Sequence, residues 1–119
     1  MRSPTWILIT VLLSAALLFA DATGRWAGTI GDERGSDQAL LILQQDGTKL
    51  TGTAGSDDND RHSIQNGTIE GDTVRFEVPR GDAVLSVVLK VTGDEMSGTI
   101  EVKRNHQTVR TGRISLKRQ

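Results

Sequence analysis

The residues best equipped for chemistry in this chain are two histidines, His62 and His106, and the acidic run Asp57-Asp58-Asn59-Asp60. A protein zinc site takes several His or Cys ligands at set spacings. Here the chain has no cysteine, and its histidines fall in separate turns, so both read as solvated turn residues. A calcium loop needs alternating oxygen ligands, a central glycine and a terminal acid. Arg61 and His62 follow the acidic run instead, which makes it a solvated loop. Nucleophilic catalysis has no Gly-x-Ser-x-Gly turn to stand on, and Glu77 and Asp82 show no spacing that pairs them. The sequence therefore predicts no catalytic residue, no cofactor-binding residue, no metal ligand and no enzyme.

These side chains must be carried by something, and the N-terminus says where. Arg2 precedes an apolar run of 15 residues from Trp6 to Ala20, and Ala20-Asp21-Ala22 offers small residues at both key positions of a cleavage site. That is the grammar of a cleavable export signal. The run is shorter than the roughly 20 residues of a spanning helix, so no stable membrane span is expected after cleavage. The expected organisation is a signal peptide over 1–22 and one domain over 23–119, periplasmic or extracellular. Removing Arg2 and Asp21 from 14 basic and 15 acidic residues leaves the domain near −1. Nothing in that balance suggests nucleic acid as a partner. The charge is uneven: residues 95–119 carry six basic and two acidic side chains, and residues 23–94 seven and twelve.

No stretch of the domain keeps a helical period. Apolar and polar residues alternate instead, punctuated by Gly-Asp and Asp-Gly pairs. The pattern predicts eight strands, at 24–31, 38–45, 49–55, 63–70, 72–79, 83–92, 95–103 and 107–118, with longer links at 32–37 and 56–62. Gly-Thr recurs at Gly28, Gly52, Gly67 and Gly98, with a degenerate copy at Gly112. One face of the strands carries Trp26, Leu41, Leu43, Leu50, Val74, Phe76, Val87, Leu89, Met96, Ile114 and Leu116; the other carries Thr, Arg, Lys and Glu. With one apolar face and no helix to cover it, the expected fold is all-β: a single eight-stranded antiparallel up-and-down meander closed as a β-barrel, with a two-sheet sandwich as the alternative. The repeated inward glycines, Gly28, Gly52, Gly67, Gly98 and Gly112, are expected to serve coiling and close packing of the wall.

Gly24-x-Trp26 at the start and Arg118 at the end of the domain resemble the calycin superfamily: lipocalins, avidins and small bacterial protease inhibitors. The resemblance implies that Arg118 packs over Trp26 at a closed end. The pattern Leu41-x-Leu-x-Gln45-x-Gly47-x-x-Leu50-x-Gly-Thr53, followed by Met96-Ser-Gly-Thr99, is also similar to small exported bacterial β domains. In a bacterial chain the sequon Asn66-Gly67-Thr68 stays unmodified. The aromatic lining of an avidin pocket is missing, so biotin binding does not carry over.

Only Trp26 and Phe76 remain as aromatics in the domain, which disfavours stacking on single-stranded nucleic acid. The expected function is a non-enzymatic binding or accessory domain, acting through loops and a basic C-terminal edge on a protein or cell-envelope partner. The interior is then packed by Trp26, Phe76 and Met96. The alternative is a carrier of a small apolar ligand, with the same three residues lining its site; a hydrolase is the third reading.

Overall fold

The computed structural model describes residues 20–119. The reading of the first 19 residues as leader lies outside the described residues. Alternation produces strands wherever it was strong: β1 (Gly24–Asp32), β2 (Gly35–Asp46), β3 (Lys49–Asp57), β4 (Asp60–Ser63), β5 (Gln65–Glu70), β6 (Thr73–Arg80), β7 (Ala83–Thr92), β8 (Glu95–Arg104) and β9 (Gln107–Arg118). Tight turns join them. Gly93 adopts φ 62° between β7 and β8, and Asn105 and His106 take 52° and 64° between β8 and β9. Two successive positive φ values mark the hairpin turn whose twist suits paired strands.

Every pairing is antiparallel. The chain meanders from β5 to β9, β9 pairs with β1, and the β1–β2 and β2–β3 pairings complete the ring. β3 pairs with β5 at its start and with β4 beyond. The result is a closed eight-stranded up-and-down barrel with one extra strand, β4. The continuous ladder rules out the sandwich alternative, which needs two separate sheets.

The strand expected at 63–70 begins earlier and breaks at Ile64, where β4 gives way to β5. Asn66, at φ 54°, accompanies a register shift between Gln65 and Thr68. A bulge of this kind inserts a residue and inverts the facing of what precedes it. The links at 32–37 and 56–62 are shorter than expected: strands run through Asp32, from Gly35, through Asp57 and from Asp60, leaving two-residue turns. At that end both faces of the strands meet water, so polar residues masked the period.

The inward face forms one core. Trp26, Val74, Leu89, Met96 and Leu116 are its most deeply buried large side chains. Ala22, ahead of β1, is also fully buried and belongs to this core. Its carbonyl accepts the indole N–H of Trp26 at 3.0 Å, and its own N–H donates to Gln45 Oε1 at 2.9 Å. Arg118 lies 4.3 Å from the centre of the Trp26 ring. The same guanidinium donates to the carbonyls of Thr23 and Asp21 and to Asp94 Oδ1. One end of the barrel is thus sealed by an aromatic ring, a cation above it and a short N-terminal strap.

The inward glycines have a steric role. A Cβ at Gly28, Gly52 or Gly98 would come within 3.0 Å of a neighbouring strand's backbone carbonyl, belonging to Ser115, Ile42 and Val88 respectively. Only glycine permits strands to pass this closely. At Gly67 the obstacle is the carbonyl of Leu50, and at Gly112 that of Gly31, 2.9 Å away.

Candidate functional site

The other end of the barrel is open. Inward residues there are short: Ala39 on β2, Ala54 on β3, Val78 on β6 and Val87 on β7, with Ile30, Leu85, Ile100 and Ile114 around them. Together with Leu41 and Phe76 they bound a cavity of about 570 Å³. Its apolar walls come from seven of the strands, β1, β2, β3, β6, β7, β8 and β9, so the cavity is the barrel's own interior. Of the three residues expected to line a ligand space, Phe76 does so. Trp26 and Met96 sit in the sealed end, fully buried. The interior expected to be packed throughout is packed for half its length.

The lip of the cavity is polar: Asp37, Gln38, Ser56, Asp57, Asp60 and Arg80. Ser56 and Asp60 face each other across the β3–β4 hairpin. The Ser56 hydroxyl donates to Asp60 Oδ2 at 2.7 Å, and the Ser56 backbone N–H does the same at 3.2 Å. His62 Nε2 lies 2.8 Å from the other carboxylate oxygen. The Ser56 hydroxyl, and then His62 and the Ser56 backbone, hold the Asp60 carboxyl down at about 2. Ser, Asp and His therefore meet here, but in an order unsuited to catalysis. The hydroxyl is bonded to a strongly acidic carboxylate, whereas an activated serine needs a base poised near neutrality. The grouping is a fixed polar patch at the mouth. His106 is placed elsewhere, in the β8–β9 turn, and among the described residues no cluster of three His, Cys, Asp or Glu could hold a metal.

Sequence reasoning left Ser56, Asp60 and His62 in a solvated loop. The signal for Ser56 was available, since it extends the inward series Leu50, Gly52, Ala54. Asp60 and His62 were not accessible by parity. Counting back from Ile69 and Gly67 puts them outward, and the bulge at Gln65–Thr68 reverses this. Ile64, on the same parity as His62, packs against the core and confirms the reversal.

The mouth also has a gap in its wall. β5 pairs with β6 from Glu70 back to Gln65, opposite Glu77. Beyond that point β4 pairs only with β3, and Val78–Arg80 of β6 pair only with β7. Pro79, which has no N–H to offer a ladder, lies in this one-sided stretch, where proline is tolerated. On the outside, Arg25 of β1 forms a bidentate pair with Asp58 of the β3–β4 turn, both contacts at 2.8 Å. Since β2 lies between β1 and β3, the turn bends back across the outer face of β2. Leu40 on that face is only 5% exposed. The bend carries the hairpin away from the mouth.

The basic C-terminal strand is not an edge. β9 pairs with β8 on one side and β1 on the other. Its charges are largely matched: Arg110 with Asp32, Arg118 with Asp94, and on β8 Lys103 with Glu101 and Arg104 with Asp82. Asp32 is held below the ordinary carboxylate range by the Arg34 backbone N–H and by Arg110.

Comparison with protein families, curated proteins and solved structures gave no match.

Proposed function

We propose that the protein is a carrier of a small apolar molecule, held in the open half of the barrel. The observation that carries this reading is the cavity of about 570 Å³, walled by apolar side chains from most of the ring and rimmed by polar ones. Ligand sites have this composition and a volume of roughly 300–1,000 Å³. Apolar cavities also tend to stay dry and to accept apolar guests. The polar lip suits a molecule whose one end remains hydrated.

We also read the chain as calycin-like and exported. Gly24-x-Trp26 with Arg118 stacked over the indole supports the first, and the apolar N-terminal run supports the second. Action on a protein or envelope partner through a basic C-terminal surface draws less support. That surface has no unpaired strand edge, and carboxylates neutralise most of its cations.

The test is to purify the protein from its natural source, extract it with organic solvent and analyse the extract by mass spectrometry. One apolar compound in near-stoichiometric amount is expected. Protein that is repeatedly empty, and that fails to take up apolar probes, would return the loop-and-surface reading to first place.

A further inference from the structure

The strap that seals the barrel contains residues that a leader would remove. Ala22 is fully buried, and it satisfies both the Trp26 indole N–H and the Gln45 side-chain carbonyl. The Asp21 carbonyl accepts a hydrogen bond from Arg118 Nη2 at 2.8 Å, and its carboxylate accepts the Thr23 N–H at 3.0 Å. We infer that Asp21 and Ala22 are part of the working barrel, and that leader removal falls on the N-terminal side of Asp21. The inference rests on the export reading for the existence of a cut, and on the described residues for its position.

A cut after Ala22 would do three things at once. It would leave the Trp26 N–H, buried with its ring, without its partner, and buried donors are rarely left unpaired. It would empty the space that Ala22 fills beneath the ring. It would also place a new ammonium on Thr23, the residue whose carbonyl already receives the Arg118 guanidinium. A cut after Ala20 avoids all three. The new ammonium then sits on Asp21, which is exposed and brings its own carboxylate. Only the longest contact of the strap is lost, from Gln45 Nε2 to the Ala20 carbonyl at 3.5 Å. Ala20 supplies a small residue directly before that bond. Further upstream, Ser14 and Ala16 supply small residues at both positions that a leader peptidase reads.

The experiment uses the full chain, expressed in a secreting bacterium, with intact mass and N-terminal sequencing of the recovered protein. It is run on the wild type and on Ala22→Leu. A leader peptidase does not accept a bulky residue directly before its cut, and processing precedes folding, so the variant reports even if its barrel is unstable. The expected product begins at Asp21 or earlier in both proteins, with unchanged processing efficiency. A wild-type product beginning at Thr23, with processing abolished in Ala22→Leu, would overturn the inference. A chain recovered whole would keep both residues in place and agree with it, while overturning the reading of the N-terminus as a cleaved leader.

Discussion

The two ends of this barrel share their strands and differ in what the strands point inward. β1 contributes Trp26 to the sealed end and Ile30 to the mouth; β3 contributes Leu50 and then Ala54; β8 contributes Met96 and then Ile100. An eight-stranded ring is just wide enough for side chains to fill. Here large side chains fill one half, and alanines and short aliphatics leave the other open. The polar groups differ too. At the sealed end Arg118 is tied to three partners and covers a ring. At the mouth, carboxylates and Arg80 stand around an opening. The comparison teaches that the backbone sets the capacity of the barrel and that a few inward residues decide whether it is used for stability or for a guest.

The largest effect is expected at the sealed end. Trp26→Ala should cost about 3–5 kcal/mol, the usual range for removing a large buried aromatic, measured by urea unfolding. Arg118→Ala should cost less, about 1–2 kcal/mol for a stacked cation and its hydrogen bonds. Equal losses would mean that the ring and its cover act as one unit.

At the mouth the expected order reverses: binding changes more than stability. Ala54→Leu and Ala39→Leu add volume to the cavity wall and should weaken uptake of an apolar probe at least tenfold. That is roughly 1.4 kcal/mol of binding. The unfolding midpoint should hold or rise, because the new side chain buries apolar surface. If either variant unfolds readily and still binds, the two ends have been assigned the wrong roles.

A smaller effect concerns Asp60. Its carboxyl titrates at about 2 in the fold against an ordinary 3.8. The stabilisation it supplies is therefore complete above about pH 4 and is lost as pH falls toward 2. Asp60→Asn should remove that part of the acid sensitivity and leave Trp26 fluorescence at neutral pH unchanged. Acid unfolding curves of the two proteins decide it; superimposable curves would mean that the polar patch is not formed in solution.

The smallest effect is expected from Arg25→Ala, which frees the β3–β4 turn from the outer face of β2. The pair is exposed, and Arg25 lowers the Asp58 pKa mainly through its hydrogen bond. Exposed pairs contribute little to stability. The readout is the rate of probe entry, which should change while the unfolding midpoint does not.

Much of this architecture could be read before any coordinates. Leu85, Val87, Leu89 and Val91 alternate on β7 with nothing to disturb their parity, and the turns at Gly71, Gly93 and Asn105-His106 carry residues that accept positive φ. The sealed end was legible because Gly24-x-Trp26 and Arg118 have a known geometric meaning together. The mouth was not. Its strands are polar on both faces, its fourth strand is broken by a bulge at Gln65–Thr68, and its cavity is made of small residues whose identity alone does not distinguish tight packing from open space. The strap was hidden for a different reason: Ala20-Asp21-Ala22 reads as a cleavage site by letter, and only its hydrogen bonds to Trp26, Gln45 and Arg118 show that it belongs to the fold.

The central claim is that the open half of the barrel holds an apolar guest. Its most direct test is a titration of the purified protein with N-phenyl-1-naphthylamine, a neutral dye that brightens in apolar surroundings, in parallel with Ala54→Leu. The account predicts saturable one-to-one binding by the wild type and its loss in the variant, with both proteins folded by circular dichroism. Binding that is absent from the wild type, or equal in the two proteins, would contradict it.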